Sequence, residues 1–189
     1  MDPIDRYVND LLDRAARAAE LFRQFDQARV DGIVDAVYRA AWSARVELAR
    51  LAVEETGMGV LTDKIIKNSY ASLLVYEDIR ARKTVGVIAH DPATGISEVA
   101  QPRGPVLATI PVTNPTSTTI FKTLISLKTR NPIIISPHRG ARRCVRETVR
   151  ILAAAAESAG APPFAIQVMT KGQTDHVEHV MRHKKLALI

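Results

Sequence analysis

Apolar residues at Ile4, Tyr7, Val8, Leu11, Leu12, Ala15, Ala19, Phe22 and Phe25 recur at intervals of three and four. Residues 4–25 are therefore expected to form an amphipathic helix with one buried stripe. A second stripe follows at Val30, Ile33, Val34, Val37, Ala41, Ala44, Leu48 and Leu51, and Gly57 and Gly59 of "EETGMG" end it. A third helix is expected from residue 63 to about residue 80. The period then changes: "TVGVIAH" and "ISEVAQ" flank the turn-rich Asp91-Pro92-Ala93-Thr94-Gly95. Residues 84–101 thus read as a β-hairpin, with at least one face exposed or shared with a partner.

From Val106 onward, short apolar runs alternate with helical segments. Strands are expected at 106–112, 132–136, 164–169 and 186–189, and helices at 115–129, 141–159 and 174–184. The strands are apolar at successive positions, as required where helices cover both faces of a parallel sheet. The resulting order is β-α-β-α-β-α-β. Right-handed crossovers would gather the helix N-termini at the carboxyl edge of the sheet, where such folds bind ligands. The last apolar run reaches Ile189 with no following helix to cover it, so the chain reads as a fragment of a longer protein.

Composition narrows the field. With 189 residues, 47% of them hydrophobic, the chain can bury a core. A net charge of +6 with only 5% aromatic residues gives little to stack on bases, so no nucleic-acid partner is expected. No apolar run is long enough to span a bilayer, and the polar, acidic start "MDPIDRYVND" lacks the pattern of a secretory signal. The lone Cys144 excludes an intrachain disulfide and fits a reducing, cytoplasmic setting.

Four features could carry chemistry. Asn114-Pro115 stands where the first strand of the alternating region hands over to a helix. Asn is a preferred N-cap and Pro a preferred first helical residue, so the pair could be purely structural. The same geometry lets an Asn amide at a strand's carboxyl edge donate to a developing oxyanion. Arg142, Arg146 and Arg150 are four apart on one helical face, consistent with a hydrated surface or a subunit contact. Cys144 lies among these cations, which could lower its pKa, but it also reads as a small buried side chain. Asp175, His176, His179 and His183 have helical ligand spacing, yet no Glu is placed between the histidines as a general base, so a polar helix face is expected and no metal.

"EETGMG", "DKIIKN", "PRGPV", "PVTNPTSTTIFKTLISLKTRN", "IIISPH" and "AGAP" resemble, in that order and at matching spacings, the CoA-acylating branch of the aldehyde dehydrogenase superfamily. The resemblance runs from about residue 10 to residue 189. It implies an α/β fold: a helical region over 1–83, a bridging or oligomerisation hairpin over 84–105, and the first half of a Rossmann-like nicotinamide-cofactor domain over 106–189. It assigns Asn114 as the oxyanion donor to the thiohemiacetal alkoxide, and places Ile110, Pro111, Val112 and Thr113 along the nicotinamide side of the cofactor cleft. Hydrolytic family members carry a Lys and, three positions later, a Glu after the second strand to hold the adenosine ribose. Here Ser136, Pro137, His138 and Arg139 stand in that stretch, so the ribose must be held differently, and Arg139 could pair with a phosphate of NADP or of coenzyme A. The implied cofactors are NAD or NADP, with coenzyme A as co-substrate, and the implied partners are a small aldehyde and further copies of the chain. The family's nucleophilic cysteine lies beyond Ile189. A truncated, non-catalytic paralogue that modifies an oligomer is the alternative.

Overall fold

The computed structural model describes residues 2–170 and 174–189. Helix α1 (Pro3–Phe22) starts at Asp2, whose carboxylate accepts the Ile4 amide at 3.0 Å. Helix α2 (Gln27–Thr56) starts at Asp26, which accepts the Arg29 amide at 2.8 Å. Each cap satisfies an amide that the helix itself cannot reach. Gly57, at φ 63, ends α2 in the left-handed conformation that suits a residue without a β-carbon.

The expected third helix is interrupted. It consists of α3 (Leu61–Ser69), a π-helical turn (Tyr70–Leu74) and α4 (Val75–Ile79). The buried Ser72 hydroxyl donates to the Asn68 carbonyl at 2.7 Å, and the Ser69 hydroxyl to the Ile65 carbonyl at 2.8 Å, so side chains occupy carbonyls at the irregularity.

Strands β1 (Gly86–Asp91) and β2 (Ile96–Ala100) form the hairpin, antiparallel and closed over a turn in which Gly95 sits at φ 70. Its apolar residues are uncovered: Val87, Ile96 and Val99 are all more than half exposed. Arg130, itself buried, donates from its guanidinium to the carbonyls of Arg23 at 3.1 Å and Ala100 at 3.2 Å, tying the end of the hairpin to the α1–α2 turn.

The main sheet has strands β3 (Val106–Ile110), β4 (Ile133–Pro137) and β5 (Ile166–Val168), parallel and in that spatial order. Helix α5 (Pro115–Lys128) connects β3 to β4; a 3-10 turn (Arg139–Ala141) and α6 (Arg142–Ser158) connect β4 to β5; α7 (Thr174–Met181) follows. Strand β5 is shorter than expected because Phe164 takes a positive φ of 65 just before it. Of the expected strand 186–189, only a bridge forms. Leu188 pairs with Val106, its carbonyl accepting the Leu107 amide at 2.9 Å.

Successive apolar residues of the strands serve two cores. Ile133 and Ile135 face a layer made by α2, α5 and α6, with Ile33, Val37, Leu48, Leu124, Val145 and Leu152. Leu107 and Ile134 face the opposite way, onto Val8, Leu11, Leu12 and Ala15 of α1 and Val180 of α7. Alternation of side chains along each strand produces this division, and two covered faces explain why the strands carry no polar alternation. Among the described residues, no helix is long and apolar enough to cross a membrane.

Candidate functional site

Strands β3 and β4 run side by side, so Thr109 pairs with Ser136 and Ile110 with Pro137. The two segments singled out in the sequence therefore leave the sheet together at its carboxyl edge. The His138 amide donates to the Ile110 carbonyl at 3.1 Å and extends the contact past the strands. Ile110, Ser136 and Pro137 are buried, Val112 is half-buried, and Pro111, Thr113, His138 and Arg139 are exposed. The His138 ring turns back to accept the Gly140 amide at 3.1 Å, and a β-carbon at Gly140 would meet both His138 Nδ1 and Val112 Cγ2 at 3.5 Å. The two loops thus touch at Gly140.

Asn114 holds the N-cap position of α5, at φ −136 and ψ 57, but its side chain makes no capping bond. Only its backbone carbonyl serves the helix, accepting the Thr118 amide at 3.1 Å. The carboxamide is turned elsewhere: Oδ1 accepts from Lys67 Nζ at 3.1 Å, and Nδ2 meets Thr113 Oγ1 at a long 3.4 Å. An amide nitrogen carries two hydrogens, so this one retains a hydrogen to offer to a bound oxygen.

Three polar residues of α3 grip the segment around Asn114. Lys64 Nζ donates to the Thr113 carbonyl at 2.6 Å, Lys67 reaches Asn114, and Asn68 Oδ1 accepts the Thr116 hydroxyl at 2.8 Å. Asn68 is anchored in turn by donating to the Arg45 carbonyl of α2 at 2.9 Å. Lys64 is only 4% exposed, and burial, reinforced by the nearby Lys67 cation, pulls its pKa below the usual lysine value. Sequence reasoning assigned these residues no role, although positions 64, 67 and 68 have the i, i+3, i+4 spacing of one helical face.

Beside Asn114 lies a groove of about 730 Å³ between α3, the π-helical turn and α5. Ile66, Tyr70, Leu74 and Phe121 line it and are between 41% and 61% exposed, so its wall is apolar and open. The π-helical turn brings Tyr70 and Leu74 to this wall. The signal in the sequence was the outward stripe Ile66, Tyr70, Leu74, at intervals of four, on a helix whose inward face is polar.

The start of α6 at this edge is occupied by a side chain. Glu55 fills that position: its carboxylate accepts the amides of Arg143 and Cys144, each at 2.7 Å. Burial alone would raise the Glu55 pKa, but the amides of Cys144 and Arg143 outweigh it and the group titrates below its ordinary range. An anion arriving there finds the amides of Arg143 and Cys144 already taken. The remaining cationic group of the second loop, Arg139, is exposed and forms no ion pair among the described residues, so it suits a phosphate. The loops at 110–113 and 136–139 thus lie together at the sheet edge, with Arg139 as an exposed cation beside them.

Other candidates resolve into structure. Cys144 is fully buried, and burial together with the Glu55 carboxylate pushes its thiol up to about 12, so the neighbouring arginines do not activate it. Arg146 donates to the Thr170 carbonyl at 3.0 Å and Arg150 pairs with Glu147 at 2.6 Å. His179 lies 3.1 Å from Asp5 and His183 3.0 Å from Asn9, both on α1, so these histidines fasten α7 to α1. Among the described residues, no group of three or more His, Cys, Asp or Glu side chains is placed to hold a metal.

The model of the aldehyde dehydrogenase family matches residues 5–189. The bifunctional aldehyde-alcohol dehydrogenase AdhE of Escherichia coli K12 is 41% identical over 182 residues, covering 96% of this chain and 20% of that protein. A probable aldehyde dehydrogenase of Listeria monocytogenes superposes with a TM-score of 0.95 at 43% identity, over all of this chain and 42% of its own. An acetylating aldehyde dehydrogenase of Geobacillus thermoglucosidasius superposes with a TM-score of 0.93 at 42% identity, over 97% of this chain and 40% of its own. The chain thus spans about a fifth of the E. coli relative and about two fifths of the solved ones. The matching family model, the relatives and the shared fold give one assignment: this chain belongs to the aldehyde dehydrogenase family, with its likeness running to acetylating members.

Proposed function

We propose that this chain is the front portion of an enzyme that oxidises a small aldehyde to an acyl-CoA with NAD or NADP. The observation that carries the reading is the Asn114 carboxamide, which declines the capping bond its position invites and stands in the wall of an apolar groove. An aldehyde whose hydrocarbon end enters the groove can place its carbonyl oxygen within reach of Nδ2. Attack by a thiolate on the carbonyl carbon moves negative charge onto that oxygen, and a fixed amide donor stabilises the charge as it forms. When bound, the nicotinamide cofactor supplies the acceptor for the hydride leaving the carbon. Ile110 to Thr113 would flank it on one side, and Ser136 to Arg139 would carry its adenosine end. The acyl group then passes to the sulfur of coenzyme A. Overall, aldehyde, CoA thiol and NAD(P)+ give acyl-CoA, NAD(P)H and a proton.

Cys144 is no candidate for the thiolate, being buried with its pKa raised to about 12. The nucleophile is accordingly assigned to a segment beyond this chain. One observation favours a second reading, a non-catalytic subunit that modifies an oligomer: the hairpin leaves Val87, Ile96 and Val99 uncovered. In either reading the hairpin is assigned to contact with another copy.

The deciding experiment measures NADH formation from acetaldehyde, with and without coenzyme A, by the polypeptide that carries this chain through its downstream reading frame. CoA-dependent turnover that falls about 10²- to 10³-fold in Asn114→Ala supports the reading. A folded protein with no turnover favours the non-catalytic subunit.

A further inference from the structure

We propose that Lys67 is a positioning residue for the oxyanion donor: its ammonium fixes which end of the Asn114 carboxamide faces the substrate and strengthens that end as a donor. The inference rests on the reading of Asn114 given above. A carboxamide is nearly symmetric in shape, and its two ends have opposite polarity. If Oδ1 faced the aldehyde oxygen, it would repel the charge that the site must stabilise. An ammonium has donors and no acceptor, so it can bind only Oδ1. With Lys67 Nζ 3.1 Å from Oδ1, the NH2 group is forced to the other side. A charge-assisted bond to the carbonyl end also polarises the amide and makes its N–H groups better donors.

An exposed lysine on a helix usually projects into water or pairs with an acid one turn away, as Arg39 does with Asp35 and Arg82 with Asp78. Lys67 does neither. It crosses to a residue 47 positions along the chain, and no ion pair involves it among the described residues. The one carboxylate lining the groove, Asp78, is taken by Arg82. The Asn114 side-chain carbonyl oxygen is therefore the partner to which the Lys67 ammonium is directed. One turn earlier on α3, the buried Lys64 holds the Thr113 carbonyl, so the peptide carrying Asn114 is fixed by the same helix. The cationic face of α3 and the donor loop act as one unit.

The test is a double-mutant cycle in the complete enzyme, with acetaldehyde, NAD and coenzyme A. Lys67→Met is expected to lower kcat roughly tenfold with little change in the KM for NAD, and Lys67→Arg to restore most of the turnover. In Lys67→Met/Asn114→Ala the loss should equal that of Asn114→Ala alone, because Lys67 acts only through the amide. Losses that multiply in the double variant, or a parental kcat in Lys67→Met when Asn114→Ala is impaired, would overturn the inference and leave the Asn114 assignment standing. A parental kcat in Asn114→Ala removes that assignment itself. The chain of 189 residues supplies a readout independent of activity. Its Asn114 side-chain NH2 resonances, identified by their loss in Asn114→Ala, should shift in Lys67→Met and stay near their parental positions in Lys67→Arg. Resonances unmoved by Lys67→Met would show that the bond is not made and end the proposal.

Discussion

Glu55 and Cys144 are joined at the start of α6, where Glu55 Oε2 accepts the Cys144 amide at 2.7 Å. The second carboxylate oxygen accepts the amide of Arg143, so a side chain from the end of α2 caps a helix that lies 88 residues further along. This pins α2 to the sheet-covering layer and neutralises the positive end of the α6 dipole. Glu55→Gln keeps the shape and removes the charge, and should cost about 1 kcal/mol at pH 7. The Glu55 pKa is lower in the folded chain than in the unfolded one. Its contribution is therefore complete above the unfolded value, about 4.3, and is lost as pH falls through the lowered folded value. Urea unfolding of parent and variant between pH 7 and pH 3 should give curves that converge toward the acid end. A constant gap across that range would count against the ionic cap.

Burial, with the Glu55 carboxylate beside it, silences the thiol. With its pKa at about 12, Cys144 at pH 8 is thiolate in roughly one molecule in ten thousand, and its side chain is fully buried. A disulfide reagent such as dithionitrobenzoate should react with the native chain at least about 100-fold more slowly than with the chain in denaturant. Comparable rates in the two states would revive Cys144 as a reactive group.

The layer plan was legible because burial leaves a record in composition. Ile133, Ile134 and Ile135 could be consecutive only if both sheet faces were covered, and the structure sends the middle one to a different core from its neighbours. The helical stripes of α1 and α2 were legible for the same reason. The π-helical turn at Tyr70–Leu74 was not, because apolar periodicity runs through it unbroken and its side-chain hydrogen bonds are made by serines common on any helix. Asn114 and the loops at 110–113 and 136–139 were singled out by the family resemblance, and their meeting at one edge followed from the parallel topology. Lys64, Lys67 and Asn68 were visible as the "DKIIKN" segment with polar residues on one helical face, but their grip on residues 113–116 was not, since it depends on how α3 lies across the start of α5.

Asn68 is the buried hinge of that grip. It is fully buried, accepts from Thr116 at 2.8 Å and donates to the Arg45 carbonyl at 2.9 Å. Asn68→Leu preserves volume, removes the side-chain donor to the Arg45 carbonyl and strands the hydroxyl of the buried Thr116. A loss of about 2–4 kcal/mol in chemical denaturation is expected, with part recovered in Asn68→Leu/Thr116→Val, where the orphaned hydroxyl is also removed. A loss no larger than that of a surface substitution would show that the pair does not anchor the segment.

Arg139 is the cation at the edge where the cofactor is proposed to bind. It stands immediately after β4, on the 3-10 turn that replaces an open helix start, and it is exposed without an ion pair among the described residues. The Arg143 and Cys144 amides at the start of α6 are held by Glu55, so an anion arriving at this edge has the guanidinium available and those two amides closed to it. A guanidinium matches phosphate in geometry, and its attraction at an exposed site weakens with salt. If Arg139 meets the ribose phosphate that distinguishes NADP from NAD, Arg139→Glu replaces attraction by repulsion for that cofactor alone. The affinity for NADP should then fall about tenfold or more while that for NAD changes little, and the selectivity of the parent should shrink as salt is raised. A parallel loss for both cofactors would instead place Arg139 near a group they share, and an unchanged ratio with unchanged affinities would return it to the solvated surface.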